Sequence, residues 1–291
     1  MQQTSSRPQL RARTFHSMGT VVSLTVASTS APDTAVDELE SAVEVLEGIF
    51  ASLDLTFSLY RSGSEANRIN SGELALAYAS ESLRDLYTEA SEWRLATDGA
   101  FTAERPDGRI DLSGIVKAHA VREAALSLRA LGLQDWCINA GGDVLVSGSP
   151  ETKAAAGPWL AGIVDPGDRQ SLLGAYPLAA NRALATSGSA ERGEHIWTIG
   201  SERPEFIQVS VAATEIVTAD VLATAIVAGG TWALDHAVER WGVDVLAVHR
   251  DGSLLATPGF RPKKLPRLKG LDQFRVLGAE SITGGNSSEP P

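Results

Sequence analysis

The stretch Thr218-Ala219-Asp220-Val221-Leu222-Ala223-Thr224-Ala225-Ile226 combines an apolar run with two polar side chains four residues apart. Its apolar residues predict a helix, on which positions i and i+4 share one face. Asp220 and Thr224 would then lie one turn apart and could together hold one Mg²⁺, which prefers oxygen ligands and keeps several waters. A structural interpretation is also open, with Asp220 as an acid at a helix N-terminus and Thr224 as a core residue whose hydroxyl bonds back to a carbonyl.

The composition indicates a globular protein with an acidic surface. The chain has 291 residues, 43% of them hydrophobic, which is enough for one large domain or two small ones. The formal net charge of −11 argues against nucleic acid or an anionic membrane as the main partner, because both attract clustered Lys and Arg. A polyanionic ligand would need a metal ion, a well-placed Lys or backbone N–H groups at a helix start.

The single cysteine, Cys137, excludes a disulfide framework within the chain and a thiolate metal cluster. The first residues contain no apolar run of the secretory kind, and no segment reaches the uninterrupted apolar length of a membrane span. We therefore expect a cytoplasmic protein with no membrane span.

The chain divides into three parts by composition. Residues 1–13 form a polar, flexible leader, and residues 14–257 carry the regular hydrophobic patterns of a domain. Residues 258–291 are rich in Pro and Gly, with a basic segment followed by a polar end, and we expect this tail to be partly disordered.

Hydrophobic periodicity predicts a mixture of strands and helices in the domain. The predicted strands are 21–26, 136–140, 144–146, 159–164, 183–186, 206–212, 243–248 and 254–256. The predicted helices are 33–53, 80–97, 117–131, one around residue 220 and one at 232–241.

Two segments have the composition of ligand-binding loops. Residues 57–70 are rich in polar donors and aromatic rings, which fits a ligand rim or, alternatively, a turn followed by a short helix capped by Ser62 or Ser64. In residues 110–117, Asp111 lies beside a turn of small residues, and Lys117 is predicted to begin a helix. A Lys with free N–H groups at a helix start suits a phosphate, although a solvated Lys is the competing interpretation.

Seven motifs of the chain resemble, in order, those of the ApbE family, the FAD:protein FMN transferases, and the resemblance runs from about residue 14 to 250. They are Met18-Gly19-Thr20; Phe57-Ser58-Leu59-Tyr60-Arg61 with Ser64-Glu65; Asp98-Gly99-Ala100-Phe101; Asp111-Leu112-Ser113-Gly114-Ile115-Val116-Lys117; Asn139-Ala140-Gly141-Gly142-Asp143; Ala185-Thr186-Ser187-Gly188; and Ala219-Asp220 through Thr224. The resemblance is specific because it rests on the order of all seven.

The resemblance implies an α+β fold of mixed sheets and packed helices in two lobes, similar to the T-fold, with FAD between the lobes. It also implies Mg²⁺-dependent transfer of FMN from FAD to a Thr or Ser hydroxyl of an acceptor flavoprotein, with release of AMP. FAD would thus be a substrate, and Mg²⁺ the cofactor.

Site residues follow from the resemblance position by position. It places FAD against Met18, Tyr60, Gly99, Ala100, Phe101, Asp111, Lys117 and Ile196. It assigns Mg²⁺ to Asp220, Thr224 and the backbone carbonyl of Ser113. His195 is the nearest candidate for the base that takes the hydroxyl proton, because the ordinary pKa of histidine lies close to working pH. The alternative role for His195 is a hydrogen bond to the flavin or to the backbone.

The sequence departs from the family pattern at four places, one of which is the span from Phe101 to Asp111, shorter here than in many relatives. His195 is not followed by the usual Asp-Pro segment, Ala118 stands where Gly is usual after the motif Lys, and Arg122 replaces a common Asp. Two alternatives therefore stay open beside the transferase. The protein could bind FAD without turnover, or could hydrolyse FAD to FMN and AMP.

Overall fold

The computed structural model describes residues 9–151, 157–179, 182–188, 204–260 and 274–276. In these residues the helices are α1 (Pro32–Phe57), α2 (Glu65–Asn70), α3 (Glu81–Ala96), α4 (Ser113–Ala130) and α5 (Ile216–Trp241), with a short 3-10 helix at Leu76–Tyr78. The strands are β1 (Gln9–Ser17), β2 (Thr20–Ser28), β3 (Trp136–Ala140), β4 (Asp143–Ser147), β5 (Trp159–Asp165), β6 (Asp168–Leu178), β7 (Ala183–Gly188), β8 (Phe206–Ala213), β9 (Asp244–His249), β10 (Leu254–Ala256) and β11 (Phe274–Val276).

One large sheet organises the fold. Nine strands pair in the order β1-β2-β3-β4-β7-β8-β9-β10-β11, and β5 and β6 form a separate two-stranded sheet. All pairs in the large sheet are antiparallel except β10 with β11. The fold is therefore of the predicted α+β class, while the location of FAD between lobes stays a prediction.

Strict alternation along the central strands separates two hydrophobic cores. On β4, Leu145 faces the core shared with α1, α3, α4 and α5, whereas Val144 and Val146 face the core shared with the β5–β6 hairpin. Successive side chains of a strand point to opposite faces, so the same sheet is buried on both sides. This explains why these strands have few polar residues.

Two tight turns meet at one end of the sheet. Met18 and Gly19 join β1 to β2 with φ of 49° and 70°, and Gly141 and Gly142 join β3 to β4 with φ of 60° and 95°. Positive φ at both central residues is the type I′ pattern that suits the twist of a hairpin. A Cβ on Gly141 would collide with the Thr20 side chain, so this glycine is required by both its φ and its close neighbour.

Helix α5 carries the opening stretch of the sequence and breaks at Gly230. This residue has φ 64° and ψ −150°, which is not helical, so the predicted separate helix at 232–241 is confirmed as the second half of α5. By length and composition α5 is the one helix among the described residues that could cross a membrane. The most apolar part of α5 is 72% buried inside the protein, as in an ordinary core helix. The length and composition of α5 are therefore weak evidence for a membrane span, and the absence of a span stays a prediction.

The structure corrects several predicted boundaries. Helix α4 begins at Ser113, so its predicted start at Lys117 is wrong by one turn. Strand β6 was missed, because its sequence, interrupted by Gly174 and Pro177, does not alternate regularly. Strand β1 begins at Gln9, inside the predicted leader, and β11 lies inside the predicted tail. The three-part division of the chain is otherwise still a prediction.

Candidate functional site

A cavity of about 650 Å³ opens where the β1–β2 turn, the end of α1 and the start of α4 meet. Its wall is formed by residues 18–19, residues 53–54 and 57–61, Asp111, Ser113, Val116 and Lys117. This size lies within the range of small-molecule sites. The structure thus brings together, in one cavity, Met18, Tyr60, Asp111, Ser113 and Lys117 from the sequence-predicted site.

The loop before α2 forms the rim of the cavity and is held by hydrogen bonds. Ser64 caps α2, accepting from Asn67 N at 3.0 Å and donating to the Ser58 carbonyl. Asn67 Nδ2 donates to the Leu59 carbonyl at 2.9 Å. The interpretation as a turn followed by a short helix capped by Ser64 is confirmed. Residues 57–61 also line the cavity, with Tyr60 87% exposed, and their contact with a ligand stays a prediction.

Asp111 stabilises the start of α4 through hydrogen bonds. Its backbone N–H donates to the Ala103 carbonyl at 2.7 Å, and its Oδ1 accepts the backbone N–H of Ser113 at 2.9 Å. Ile110, the residue before Asp111, is held by Asn70. Asn70 Nδ2 donates to the Ile110 carbonyl and Ile110 N donates to Asn70 Oδ1, both at 2.8 Å. The Asp111 side chain thus pairs a backbone N–H at the start of α4 that has no partner within the helix. Together these contacts hold Asp111 and Ser113 in the cavity wall.

Lys117 lies one turn inside α4 and pairs with Asp143, the first residue of β4. The Lys117 side chain is 12% exposed and that of Asp143 is fully buried. Lys117 is therefore not the solvated lysine of the alternative interpretation. In the sequence Asp143 is visible only as the last residue of the Asn139-Ala140-Gly141-Gly142-Asp143 motif, with no predicted role of its own.

Asp220 and Thr224 share a face of α5, as the opening stretch predicts. Asp220 is fully buried, and Thr224 Oγ1 lies 3.0 Å from Ser187 Oγ on β7. A Cβ placed on Gly114, at the start of α4, would lie 3.1 Å from the Phe101 ring and 4.0 Å from the Thr224 methyl group. Glycine at position 114 thus lets the start of α4 approach α5 closely.

The turn after α3 packs against the same region. Asp98 and Gly99 have φ of 49° and 83°, and Phe101 N donates to Thr97 Oγ1 at 3.0 Å. Ala100 and Phe101 are buried in the core shared with the helices. Gly99, Ala100 and Phe101, like Asp220 and Thr224, therefore lie outside the lining of the cavity. His195 and Ile196 lie outside the described residues.

The oxygen ligands that the family resemblance assigns to the metal are of the kind that a hard cation prefers. Among the described residues there is no group of three or more His, Cys, Asp or Glu that could hold a metal. A cation at Asp220 would be bound by one carboxylate and by neutral oxygens such as the Thr224 hydroxyl and the Ser113 carbonyl. This set suits Mg²⁺, which usually binds one or two carboxylates and completes its shell with water and phosphate.

Arg122, which departs from the family pattern, connects α4 to α3. Its two Nη atoms donate to the Glu89 carboxylate at 2.7 and 2.8 Å, and Nη2 lies 2.8 Å from His119 Nδ1. Burial lowers the pKa of His119, and the neighbouring Arg122 charge lowers it further. Arg122 therefore has a structural partner in this chain and does not line the cavity.

Comparison with known sequences identifies the family. The sequence model of the ApbE family matches residues 18–105 and 102–247. The chain belongs to the ApbE family. The expected family is thereby confirmed, and the match covers every described residue of the candidate site.

Two relatives are similar in sequence to this chain over part of their length. A Rhodobacter capsulatus FAD:protein FMN transferase is 32% identical over 172 residues, covering 55% of this chain and 32% of the relative. A Salmonella typhimurium (strain LT2) FAD:protein FMN transferase is 25% identical over 175 residues, covering 56% of this chain and 48% of the relative. The aligned part thus spans about a third to a half of these relatives.

Solved ApbE structures share the fold. The apo flavinyl transferase ApbE of Pseudomonas stutzeri superposes with a TM-score of 0.70 at 22% identity, over 88% of this chain and 97% of that chain. The flavin transferase ApbE of Vibrio cholerae gives 0.66 at 20% identity, over 87% and 98%. The likeness extends over nearly the whole of both structures.

Proposed function

We propose that this protein transfers FMN from FAD to a Thr or Ser hydroxyl of an acceptor protein, in a Mg²⁺-dependent reaction that releases AMP. The observation that carries the proposal is the position of α4. Its first turns line the cavity with Ser113 and Lys117, while Gly114 approaches Thr224, one turn from the buried Asp220. The two relatives named FAD:protein FMN transferase support the same reaction.

In this reaction the acceptor oxygen forms a bond to the phosphorus of the FMN half, and the bond from that phosphorus to the AMP oxygen breaks. The acceptor hydroxyl loses its proton to a base, for which His195 is our candidate. The nucleophile and the leaving group must lie on opposite sides of the phosphorus, so the chain acts mainly by positioning and by charge.

Charge neutralisation is the main task of the described residues, since a diphosphate must enter a protein of net charge −11. Lys117 supplies one positive charge at the wall of the cavity. Asp220, Thr224 and the Ser113 carbonyl would hold Mg²⁺, which neutralises phosphate charge and stabilises the leaving oxygen. Met18 and Tyr60, on two different segments of the cavity wall, would contact the flavin.

The test is to incubate the purified protein with FAD and Mg²⁺, with and without a peptide that carries a central Thr, and to follow AMP and peptide mass together. The proposal expects AMP together with a peptide heavier by FMN, and no mass gain on a matched peptide with Ala in place of Thr. AMP with free FMN only would indicate a pyrophosphatase. Bound FAD without AMP would indicate a binding protein, and either result would overturn the transferase.

A further inference from the structure

The ion pair of Lys117 and Asp143 is unusual because one partner is completely buried. Asp143 Oδ2 accepts from Lys117 Nζ, and Asp143 Oδ1 has no hydrogen-bond partner among the residues that the structure describes. A buried carboxylate is costly, and an apolar pair of similar size often gives equal or higher stability. Stability alone therefore does not account for Asp143.

The backbone that carries Asp143 is held by hydrogen bonds. Gly141 N donates to the Val21 carbonyl at 3.1 Å, and Gly142 N donates to Asn139 Oδ1 at 2.9 Å. Asp143 itself pairs with Ala140 across the hairpin. Lys117, by contrast, reaches its partner through a flexible four-carbon stem. The Asp143 carboxylate, fixed on a hydrogen-bonded hairpin, thus contacts the ammonium of the flexible Lys117 side chain at the wall of the cavity.

We propose that Asp143 is a positioning residue that holds the Lys117 ammonium where the diphosphate of FAD binds. The ammonium has three donors, and a single carboxylate oxygen of Asp143 takes one, which leaves two for phosphate oxygens. This inference rests on the proposed function, because it requires FAD in the cavity. It deepens that function by assigning a role to a residue that does not itself line the cavity.

A competing effect makes the inference testable. If Asp143 only neutralises Lys117, removing its charge would leave a stronger positive field and would tighten the binding of an anion. If Asp143 holds Lys117, removing its charge frees the lysine stem and weakens the binding of the diphosphate. The two effects have opposite signs in an affinity measurement.

The experiment compares the affinities of wild type, Asp143→Asn, Lys117→Met and the double variant for FAD and for riboflavin, which lacks phosphate. We expect Asp143→Asn and Lys117→Met each to weaken FAD binding about tenfold and to leave riboflavin binding unchanged. In the Lys117→Met background, Asp143→Asn should add less than about a twofold change, because its effect passes through Lys117. A merely structural role would weaken both ligands in both backgrounds.

Glu89→Gln is the matched control, because it also changes the acid of an ion pair made by α4, with Arg122 and away from the cavity. It should leave both affinities unchanged. If Asp143→Asn does not fold, Asp143→Glu replaces it, and the same selective loss of FAD affinity is expected from the displaced carboxylate.

The outcomes separate the inference from the function on which it rests. Equal or tighter FAD binding by the folded Asp143 variant overturns the positioning role alone, provided that wild type binds FAD and transfers FMN. Absence of FAD binding by wild type overturns the proposed function, and the positioning role with it. Selective loss of FAD affinity that vanishes in the Lys117→Met background supports the inference.

Discussion

Asp220 is a fully buried carboxylate one helical turn from a threonine hydroxyl, which in turn contacts Ser187. The spacing of Asp220 and Thr224 was visible in the sequence, because i and i+4 on a helix always share a face. Ser187 was visible only as part of a motif. Its contact joins β7 to α5, and no local pattern predicts which residues of two distant elements meet.

We expect Asp220→Asn to lower the Mg²⁺-dependent rate of AMP release at least about hundredfold, because the amide keeps the shape but removes the charge that would hold the cation. The rate is measured against Mg²⁺ concentration at saturating FAD, with circular dichroism to show that the variant is folded. Asp168→Asn, an exposed change at the start of β6, is the control and should leave the rate unchanged. A folded Asp220→Asn variant with wild-type Mg²⁺ dependence would refute the metal site.

His119 gives a pH prediction. Burial, and after it the charge of Arg122, lowers the pKa of His119 below its usual value. As the pH falls below about 6.5, the unfolded chain binds a proton at this histidine that the folded protein does not, so stability decreases with falling pH. We expect His119→Gln to reduce this acid loss of stability, measured by urea unfolding between pH 5 and pH 8.

The control for His119 is Leu126→Gln, an exposed change on the same helix that alters no titratable group and should leave the pH dependence as it is in wild type. Equal pH slopes for wild type and His119→Gln would show that His119 does not contribute.

At the scale of elements, the start of α4 shows where sequence reasoning failed. Ser113 and Gly114 have the composition of a turn, and the helical pattern of apolar residues becomes clear only after Lys117. In the structure Asp111 accepts the Ser113 N–H, and the Phe101 ring occupies the space beside Gly114. Tertiary contacts therefore extend the helix by a turn against the local propensity of its residues.

The break in α5 at Gly230 is a second feature that depends on tertiary contacts. Glu205, just before β8, accepts hydrogen bonds from Thr231 N at 2.9 Å and from Thr231 Oγ1 at 2.7 Å. The carboxylate thus caps the second half of the helix and satisfies a donor that the break leaves free. The sequence predicted two helices, one around residue 220 and one at 232–241, but the cap of the second comes from a residue 26 positions away.

We expect Gly230→Ala to destabilise the protein by about 1–3 kcal/mol, because its φ and ψ lie in a region that only glycine adopts readily. A Cβ at this position would also lie 2.5 Å from Glu205 Oε2. Gly48→Ala in the middle of α1 is the opposite control. Gly48 is exposed with open space around it, and alanine there should stabilise by about 0.5–1 kcal/mol.

Urea unfolding of the two variants beside wild type gives both free energies. Equal effects of Gly230→Ala and Gly48→Ala would mean that the break in α5 does not depend on glycine.

At the scale of the whole molecule, hydrophobic periodicity predicted most strands and the family resemblance implied the α+β class, but neither predicted the order of the strands in the sheet. An alternation of apolar and polar residues in a sequence shows which face of a strand is buried. The side chains of β4 point in turn into two cores that are both apolar, so the sequence of β4 shows no such alternation. The motif residues of the site were predictable through the family resemblance. Their partners, such as Asp143 for Lys117, follow only from the assembled sheet and helices.

Because the central strands belong to both cores, we expect the protein to unfold as one unit over its described part. Tyr176→Phe tests this from the hairpin side, since Tyr176 OH donates to Asp244 Oδ2 at 2.7 Å and ties β6 to β9. The loss of this bond to a charged group should lower the free energy of unfolding by about 1–2 kcal/mol. Tyr78→Phe, an exposed control, should change it by less than about 0.5 kcal/mol.

Amide hydrogen exchange in mild denaturant distinguishes one unit from two, because the slowest amides report global unfolding. If the sheet couples the two cores, Tyr176→Phe reduces the protection of core amides in α1 and in β5 by the same factor, although α1 lies on the opposite face of the sheet from the substitution. A loss confined to β5 would contradict this coupling. It would mean that the hairpin opens separately, while the helices and the large sheet that position the cavity stay folded.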